Sequence, residues 1–552
     1  MRIDRREALA LLGLGAATPA AAQTAKPLGV TFQHGVASGD PTQTRVVLWT
    51  RITPESPHAQ IAYTWALNPV DRRAGGAKKG AGVTGPDRDF TVKVDVGGLD
   101  AGRAYTFAFT AEGVTSPTGL TRTLPQGPTR DAVIATTSCA LFPNGYFNAY
   151  QAIADLPRVD LVLALGDYIY EYGGEGSYGM DSPVAKVRPH DPPHEILTLA
   201  DYRRRHAQYK TDPSLQAAHA RAPWIVAWDD HETCNDSYST GGQNHNPEKG
   251  EGDWDARKAA ALKAYYEWMP IREPADGQTL AEASERSFRI GDLAQIVMLE
   301  TRLTARGKQL DYDADVTLVD GKPDIAAFRS KLADPARRMM SPGQEAWLGE
   351  QLAGSAAAGH AWQVVGSGVV MGRLTMPDPE TFPPGALDSL GEAGRKRVMA
   401  WSPLAKAGLP WGLDMWDGYP ADRERVYEIV RKAGARPVVV TGDSHAFWAN
   451  ELSDAQGRRV AVEFGTTGVT SPGAGDILTG FDVGPAFTEA SREVVFNDQK
   501  AKGFVLLTLG HDRLKAELMA VSTIHSKTFT TSVLKTFEAY PDGKGVSALK
   551  EV

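Results

Sequence analysis

The sequence predicts a layered α/β domain preceded by a small all-β domain. Between Val30 and about Thr123, short stretches of alternating polar and apolar residues are separated by Gly, Pro, Asn and Asp, which is typical of strands joined by turns. Residues 124–128 are rich in Pro and Gly, and after them the pattern changes to continuous apolar strands separated by helical stretches. Because continuous apolar strands are buried on both faces, we expect helices to cover the sheets of the second domain.

The first 22 residues predict a twin-arginine signal peptide. Arg5 and Arg6 precede an apolar run from Ala8 to Ala17, and small residues end at Ala22, where we expect cleavage. The run is shorter than the ~20 residues that a membrane span needs, so no membrane span is expected in the mature protein. The predicted export partner is the twin-arginine translocation machinery, and the predicted location is periplasmic or secreted. The alternative is an uncut amphipathic helix.

Residues 30–125 form the predicted all-β domain. Polar and apolar side chains roughly alternate in its candidate strands, and β-branched and aromatic residues are common there, which favours a small β-sandwich. The candidate strands are Arg45 to Arg51, Ile61 to Leu67, Phe90 to Val96 and Tyr105 to Ala111.

Residues 129–552 form the predicted α/β domain. Helical patterns such as Asp255 to Trp268 and Gln344 to Leu352 lie between its apolar strands. The candidate strands are Val133 to Thr137, Leu161 to Leu165, Trp224 to Trp228, Ala294 to Leu299, Trp362 to Gly366, Pro437 to Thr441, Val460 to Phe464 and Phe504 to Leu507.

Charge and cysteine content narrow the possible functions. The 552 residues carry a formal net charge of -8 with both signs interspersed, so there is no signal of nucleic-acid binding. The run Arg203-Arg204-Arg205 is typical of a solvated helix face. Only Cys139 and Cys234 are present, which excludes a disulfide framework but leaves one bridge between them open.

Five predicted strands are followed at once by ionisable or metal-seeking residues. The segments are Ser138-Cys139, Gly166 to Glu171, Asp229 to Glu232, Glu300 to Arg302 and Gly442 to His445. A lone Asp after a strand is usually a turn former or a helix cap, but five such segments in one domain favour a site. Because the carboxyl ends of strands gather at one edge of an α/β sheet, we expect the segments to converge.

The convergence of several carboxylates indicates bound cations. Carboxylates brought together repel one another, and burying an unpaired anion is costly, so such a cluster persists only when cations neutralise it. Metal ions also serve phosphoryl chemistry, since they polarise ester oxygens and lower the pKa of bound water. The sequence therefore predicts a metal centre suited to phosphate esters.

Single residues in these segments suggest separate roles. Asp167 can supply a bridging carboxylate and Tyr170 a phenolate, and a phenolate with an unperturbed pKa of about 10 requires a strong Lewis acid such as ferric iron. His231 can donate a proton to a leaving alkoxide, and the planar fork of Arg302 matches phosphate oxygens. The structural alternatives are a core or rim tyrosine, a hydrogen-bonded buried histidine and an ordinary salt bridge, respectively.

The assembled motifs resemble those of the alkaline phosphatase D (PhoD-like) family over nearly the whole chain. The similar segments are Phe32 to Pro41, Leu48 to Arg51, Gly145 to Tyr150, Leu165 to Gly173, Trp228 to Glu232, Ala264 to Arg272, Trp416 to Pro420 and Thr441 to His445. The resemblance implies the calcineurin-like metallophosphoesterase fold, a two-sheet α/β sandwich flanked by helices. It also implies that the N-terminal all-β domain is immunoglobulin-like.

The resemblance further implies a site that contains ferric iron and calcium. By matching position, Cys139 is expected to be an iron ligand, with Asp167 bridging and Tyr170 supplying the phenolate. The positions that match later metal ligands are Asp230, Asp443 and His445, and Asn235 is a further candidate for calcium. Asp443 and His445 can face one metal only if the backbone turns between them.

Three further positions qualify this expectation. His231 matches the histidine that lies beside the substrate in related phosphoesterases. Glu300 departs from the family pattern, in which Asp is common, so we expect no metal role for it. Cys234 could compete by bridging Cys139, although the resemblance favours a free Cys139.

The predicted function is hydrolysis of phosphate mono- and diesters by an exported, metal-dependent phosphoesterase. We expect in-line attack by a metal-activated hydroxide, with His231 aiding the leaving group and Arg302 holding a phosphate oxygen. Two alternatives remain: a phosphodiesterase specialised for phospholipid headgroups or wall polymers, and a noncatalytic exported protein whose metals hold the fold.

Overall fold

The computed structural model describes residues 29–56, 59–71, 76–174, 176–543 and 545–552. The predicted signal peptide, residues 1–22, lies outside these described residues. None of the helices in the described ranges combines the length and the apolar character that crossing a bilayer requires.

The larger of two central sheets has ten strands. In spatial order they are Lys550–Glu551, Thr531–Ala539, Leu514–Val521, Lys502–Gly510, Asp131–Thr137, Leu161–Leu165, Trp224–Ala227, Val36–Gly39, Val46–Arg51 and Thr91–Val96. The three middle strands that begin at residues 131, 161 and 224 are parallel neighbours. C-terminal strands therefore extend this parallel core on one side and N-terminal strands extend it on the other.

The second central sheet has seven strands. In spatial order they are Arg286–Ile290, Ala294–Met298, Trp362–Ser367, Pro437–Thr441, Arg459–Gly465, Phe447–Ser453 and Val494–Asp498. The second to fifth of these are parallel neighbours. The carboxyl ends of the four strands consequently lie at one edge.

The two sheets pack face to face. In the strand Leu161–Leu165, Leu161 and Leu163 join a core that includes Val438 of the second sheet. The alternate residue Val162 belongs to a separate core on the opposite face, because successive side chains of a strand point to opposite faces. Burial on both faces accounts for the continuous apolar runs, and the predicted two-sheet α/β sandwich is confirmed.

Helices cover the outer faces of both sheets. The longer helices are Asn148–Ala154, Leu199–Lys210, Pro213–Arg221, Trp254–Trp268, Ile325–Leu332, Pro342–Ala357, Gly391–Met399, Pro420–Ala433 and Gly484–Ala490. Two of them begin slightly before the predicted positions, because polar caps precede them: Asp253 accepts from the Ala256 N–H, and Ser341 accepts from the Gln344 N–H. A proline in the first turn of the second helix is compatible with this start.

The N-terminal part is all-β, as predicted, but one of its two layers belongs to the ten-stranded sheet. The separate layer contains Gly119–Arg122, Ala104–Ala111, Ile61–Pro69 and Lys78–Thr84. A common apolar core joins it to the strands that begin at residues 36, 46 and 91. Since Val36–Gly39 lies beside Trp224–Ala227, the N-terminal sandwich is joined to the α/β sandwich through a shared sheet.

Candidate metal centre

Strand ends from both sheets meet at one edge of the sandwich. A parallel bridge links Ser138, which follows a strand of the larger sheet, to Gly468, which follows a strand of the smaller one. Four residues in the adjoining loops have left-handed backbones, Cys139, Asp167, Asp443 and His445, with φ of 60°, 55°, 62° and 58°. Such conformations cost about 1–3 kcal/mol each for non-glycine residues and concentrate at functional sites. The backbone turns at both Asp443 and His445, but their side chains belong to different groups of candidate ligands, so the expectation that they face one metal is not met.

Two glycines let these loops approach closely. A Cβ on Gly166, whose φ is 102°, would lie 2.3 Å from the Cβ of Asp229. A Cβ on Gly442 would lie 2.3 Å from Ser138 Oγ. Neither contact is possible, so any side chain at these positions would force the strand-end loops apart.

Three overlapping groups of side chains could each hold a metal ion. Within each group the candidate ligand atoms lie within 4.8 Å of one another. The groups are Cys139, Asp167 and His445; Asp167, Asp230 and His231; and Asp167, Asp229, Asp230 and Asp443. Asp167 belongs to all three groups, so its carboxylate is shared among them.

Tyr170 is buried beside the first group. Its hydroxyl donates to Asp167 Oδ2 at 3.1 Å, accepts from Ser471 Oγ at 2.7 Å and lies 3.3 Å from His445 Nε2. Burial, reinforced by the charge of Asp167, raises the pKa of Tyr170 well above its usual value, and burial does the same to the pKa of the Cys139 thiol. Both groups would therefore ionise only beside a highly charged cation.

His445 presents its Nε2 atom to the centre. Its Nδ1 lies 2.8 Å from the Pro472 carbonyl oxygen and 3.1 Å from the Tyr178 hydroxyl. A carbonyl oxygen can only accept, so Nδ1 carries the proton and Nε2 keeps a lone pair for a metal. Burial, followed by the charge of Lys502, lowers the pKa of His445 to about 3, so the ring is neutral, as a ligand must be.

His231 is oriented by Glu171. The Nδ1 atom donates to Glu171 Oε2 at 2.7 Å, and the same carboxylate accepts from the Asn235 backbone N–H at 2.7 Å. Burial alone would lower the pKa of His231, but the charges of Asp230, Glu171 and Asp167 raise it well above its usual value. A protonated imidazole held in this way can donate a proton from Nε2. Sequence reasoning assigned no role to Glu171, although it lies in the segment that carries Asp167.

Arg302 is bound by carboxylates of the protein. Its Nε and Nη2 donate to the two oxygens of Asp229 at 2.7 and 2.8 Å, and Nη1 donates to Asp414 at 2.9 Å. The side chain is 0% exposed. Because the paired contact with Asp229 uses the planar fork, the salt-bridge alternative describes Arg302 better than the expected phosphate clamp.

The centre holds more negative charge than nearby protein cations neutralise. Four carboxylates lie within 4.0 Å of the single Arg302 guanidinium, those of Asp229, Asp230, Asp414 and Asp443. Burial and neighbouring carboxylates raise the pKa values of Asp167 and Asp443 well above the usual range. Asp167 Oδ1 is buried without a hydrogen-bond partner, which is costly for a carboxylate. Cations among these oxygens would supply both the charge and the partner, so the residues present fit metal ions.

Two buried glutamates fix the strand-end loops of the centre. The sequence alone did not indicate this role for either of them. Glu232 accepts from the backbone N–H groups of Asp167, Tyr168 and Asp229 at 3.1, 2.5 and 2.8 Å. Glu300 accepts from three consecutive backbone N–H groups of its own loop at 2.8, 2.6 and 2.9 Å. These bonds occupy the Glu300 carboxylate, and the expectation that it has no metal role stays a prediction.

Asn235 and the second cysteine lie near the centre. The Asn235 side chain accepts from the Tyr172 hydroxyl at 3.0 Å and donates to Gln243 at 3.1 Å, so its role toward calcium stays a prediction. Cys139 and Cys234 are both buried and free. The disulfide that the sequence left open is absent, and the Cys139 thiol is available as a ligand.

In protein stripped of cations, the contribution of Glu232 to stability should fall as the pH rises. Burial raises the pKa of Glu232 from 4.5 to about 7, although backbone N–H groups oppose the shift. Because the folded-state pKa lies above the unfolded value, this stabilisation is complete below about pH 4.5 and is lost as the pH rises through about 7. The loss is about 3 kcal/mol, at roughly 1.4 kcal/mol per unit. Buried histidines such as His206 and His445, whose pKa values burial lowers to about 3, change the stability in the opposite direction, so the measurement is the difference in thermal unfolding between stripped wild type and stripped Glu232→Gln protein at about pH 5 and about pH 8. A Glu232 contribution that is larger at the higher pH would contradict the prediction.

A two-sheet α/β sandwich with a buried acidic centre at the joined sheet edges defines a metal-dependent phosphoesterase. Residues 134–518 match the PhoD-like phosphatase family, and residues 17–125 match the N-terminal domain of PhoD-like phosphatases. The chain therefore belongs to the PhoD-like phosphatase family and is a hydrolase of phosphate esters.

Two relatives extend this comparison along the chain. Alkaline phosphatase D of Bacillus subtilis (strain 168) is 32% identical over 531 residues, which cover 93% of this chain and 82% of that protein. A solved structure described as the structure of PhoD is 29% identical and superposes with a TM-score of 0.75, covering 96% of this chain and 93% of that one. Both the N-terminal sandwich and the α/β sandwich therefore have counterparts in these relatives.

Proposed function

We propose that the centre binds ferric iron and calcium and hydrolyses phosphate mono- and diesters. One observation carries the proposal: Asp167 joins a group with a thiol and an imidazole to a group made only of carboxylates. Cys139, Tyr170 and His445 offer the thiolate, phenolate and imidazole donors that suit iron. The carboxylates of the other group offer the oxygen ligands that calcium prefers.

Residues of the chain orient the reaction around these ions. When bound, the ions would polarise the phosphate oxygens and lower the pKa of water beside the phosphorus. Arg302 and Glu232 fix the carboxylate loops, so the ligands are held before substrate arrives. His231, with Nδ1 held by Glu171, delivers a proton from Nε2 to the leaving oxygen.

Replacing Cys139 with serine should remove iron and lower activity. The substitution exchanges a thiolate for a harder and less acidic donor at the proposed iron position, and we expect a loss of at least about 100-fold, since changes to partners of metal ligands already cost up to that much. Iron per protein molecule and p-nitrophenyl phosphate hydrolysis measure the two effects. Cys234→Ser is the matched control, because Cys234 is also buried and free. Equal iron content in the two variants would rule out Cys139 as an iron ligand.

The phosphodiesterase alternative concerns the same site, because metal ligands do not define the ester. Values of kcat/KM for p-nitrophenyl phosphate and bis(p-nitrophenyl) phosphate separate a specialised diesterase from an enzyme that accepts both esters. The noncatalytic alternative is set aside, since the chain belongs to a family of phosphatases.

We also propose export by the twin-arginine translocation machinery to the periplasm or the cell exterior. Arg5 and Arg6 followed by a short apolar run support this. The route carries folded proteins, which suits a protein that acquires its metal ions before it leaves the cytoplasm. Replacing both arginines with lysine should retain the protein in the cytoplasm, and cell fractionation measures this. Undiminished export of the double variant would contradict the route.

A further inference from the structure

A buried loop contacts the end of the metal centre that contains the thiol. This scaffold loop, residues 466–472, follows a strand of the smaller sheet. The backbone N–H of Thr466 donates to the Thr441 carbonyl oxygen at 2.8 Å, and that of Val469 donates to the Ser138 carbonyl oxygen at 3.0 Å. The two acceptors lie at strand ends of different sheets. The loop is therefore fixed relative to the strand ends that carry the candidate ligands.

Neighbouring residues of the scaffold loop contact three candidate donors. Two of its backbone N–H groups donate to the Cys139 carbonyl oxygen at 3.3 and 3.2 Å. Ser471 Oγ lies 2.7 Å from the hydroxyl oxygen of Tyr170, and the Pro472 carbonyl oxygen lies 2.8 Å from His445 Nδ1. One short segment thus places the thiol, the phenol and the imidazole relative to one another.

The Ser471 hydroxyl can stabilise the form of Tyr170 that binds a metal. Ser471 is 0% exposed, and its Oγ also lies 2.8 Å from the Cys139 carbonyl oxygen. A hydroxyl has one proton to donate, and a hydrogen bond to an ionised acceptor is the stronger one. When Tyr170 is a phenolate, the Ser471 proton therefore goes to Tyr170, while the two backbone N–H groups still bond to the Cys139 carbonyl oxygen.

Tyr178, from a separate segment, holds His445 together with the scaffold loop. Its hydroxyl donates to the Pro472 carbonyl oxygen at 2.7 Å and lies 3.1 Å from His445 Nδ1. The Tyr178 and His445 rings are stacked, with an interplanar angle of 26°. Because the left-handed backbone of His445 is strained, its surroundings must hold it in place. The Tyr178 side chain thus helps to keep Nε2 directed at the centre.

We propose that Ser471 and Tyr178 are positioning residues for the iron side of the centre. Ser471 acts through Tyr170, and Tyr178 acts through His445. The inference rests on the proposed iron and calcium site. Within the described ranges, neither hydroxyl bonds to a carboxylate of the group made only of carboxylates. Loss of either hydroxyl should therefore weaken the binding of iron and spare the binding of calcium.

The test measures the iron and the calcium that the holoprotein retains while the chelator EDTA is titrated in. Ser471→Ala and Tyr178→Phe should each bind iron about 10–100-fold less tightly, the usual cost of removing a partner of a metal ligand. Calcium retention should be the same as in the unaltered protein. A variant that had only lost structure would release both ions.

Ser355→Ala and Tyr312→Phe are the matched controls. Ser355 is also a buried serine, whose Oγ lies 2.9 Å from His360 Nδ1, and Tyr312 also donates to a proline carbonyl oxygen, that of Pro410, at 2.6 Å. Both controls should retain both ions. Iron retention in Ser471→Ala and Tyr178→Phe that equals the controls would overturn the inference, and so would an equal loss of iron and calcium. Absence of iron from the unaltered protein is a separate outcome, which contradicts the proposed metals themselves.

Discussion

Replacing Asp167 with asparagine is expected to abolish nearly all hydrolytic activity. Asp167 is common to all three candidate ligand groups, and asparagine keeps its shape but lacks the charge that joins multivalent cations. Without the ions, the transition state loses several kcal/mol of stabilisation, so kcat/KM should fall about a thousandfold. Phosphate release from p-nitrophenyl phosphate, measured with the metal content, tests both consequences.

Asp320→Asn is the matched control for this substitution. Asp320 also has a left-handed backbone, with φ of 50°, but it lies in an exposed turn away from the centre. The activity of the Asp320→Asn variant should stay within about twofold of the wild-type activity, because most surface substitutions have small effects. Stripped Asp167→Asn protein should be at least as stable as stripped wild type, because the amide removes a buried charge. Equal activity of the two variants would contradict the role of Asp167.

Replacing His231 with asparagine is expected to lower kcat by about 10²–10⁴-fold, the usual contribution of general acid–base catalysis. The loss should be larger for an alkyl phosphate than for p-nitrophenyl phosphate, because p-nitrophenolate is a stable leaving group that needs little protonation. The comparison of kcat for the two esters measures this difference. Glu171→Gln should show the same leaving-group dependence with a smaller loss, since Glu171 acts only by orienting and charging the ring.

A metal-ligand role for His231 gives a different outcome. Its nitrogen lies within 4.8 Å of the Asp167 and Asp230 carboxylates, so the imidazole could also hold an ion. In that case His231→Asn would lose bound metal, and the loss of activity would be equal for both esters. Retained metal with a strong leaving-group dependence supports proton donation.

Much of the fold could be predicted because the buried strands carry a strong local signal. The strands Leu161–Leu165 and Pro437–Thr441 have the predicted bounds, since Gly and polar residues end both apolar runs abruptly. The shared sheet could not be predicted. The pairing of Val36–Gly39 with Trp224–Ala227 joins segments far apart in the sequence, and local alternation of residues does not specify the partner strand.

The candidate centre was predictable to a similar degree. Polar residues at strand ends identified Cys139, Asp167 and His445, because parallel topology brings such ends together. The sequence did not reveal that Asp229 forms a salt bridge with Arg302 or that Glu171 orients His231. Their roles depend on hydrogen bonds between distant loops, which residue type and spacing do not specify.

Elemental analysis of the purified protein, paired with phosphate release before and after removal of bound ions, tests most directly whether multivalent cations hold this acidic centre. We expect iron and calcium in the active protein, loss of hydrolysis when both are stripped, and recovery when both are restored. Undiminished hydrolysis of p-nitrophenyl phosphate by protein that contains neither metal would contradict the assignment.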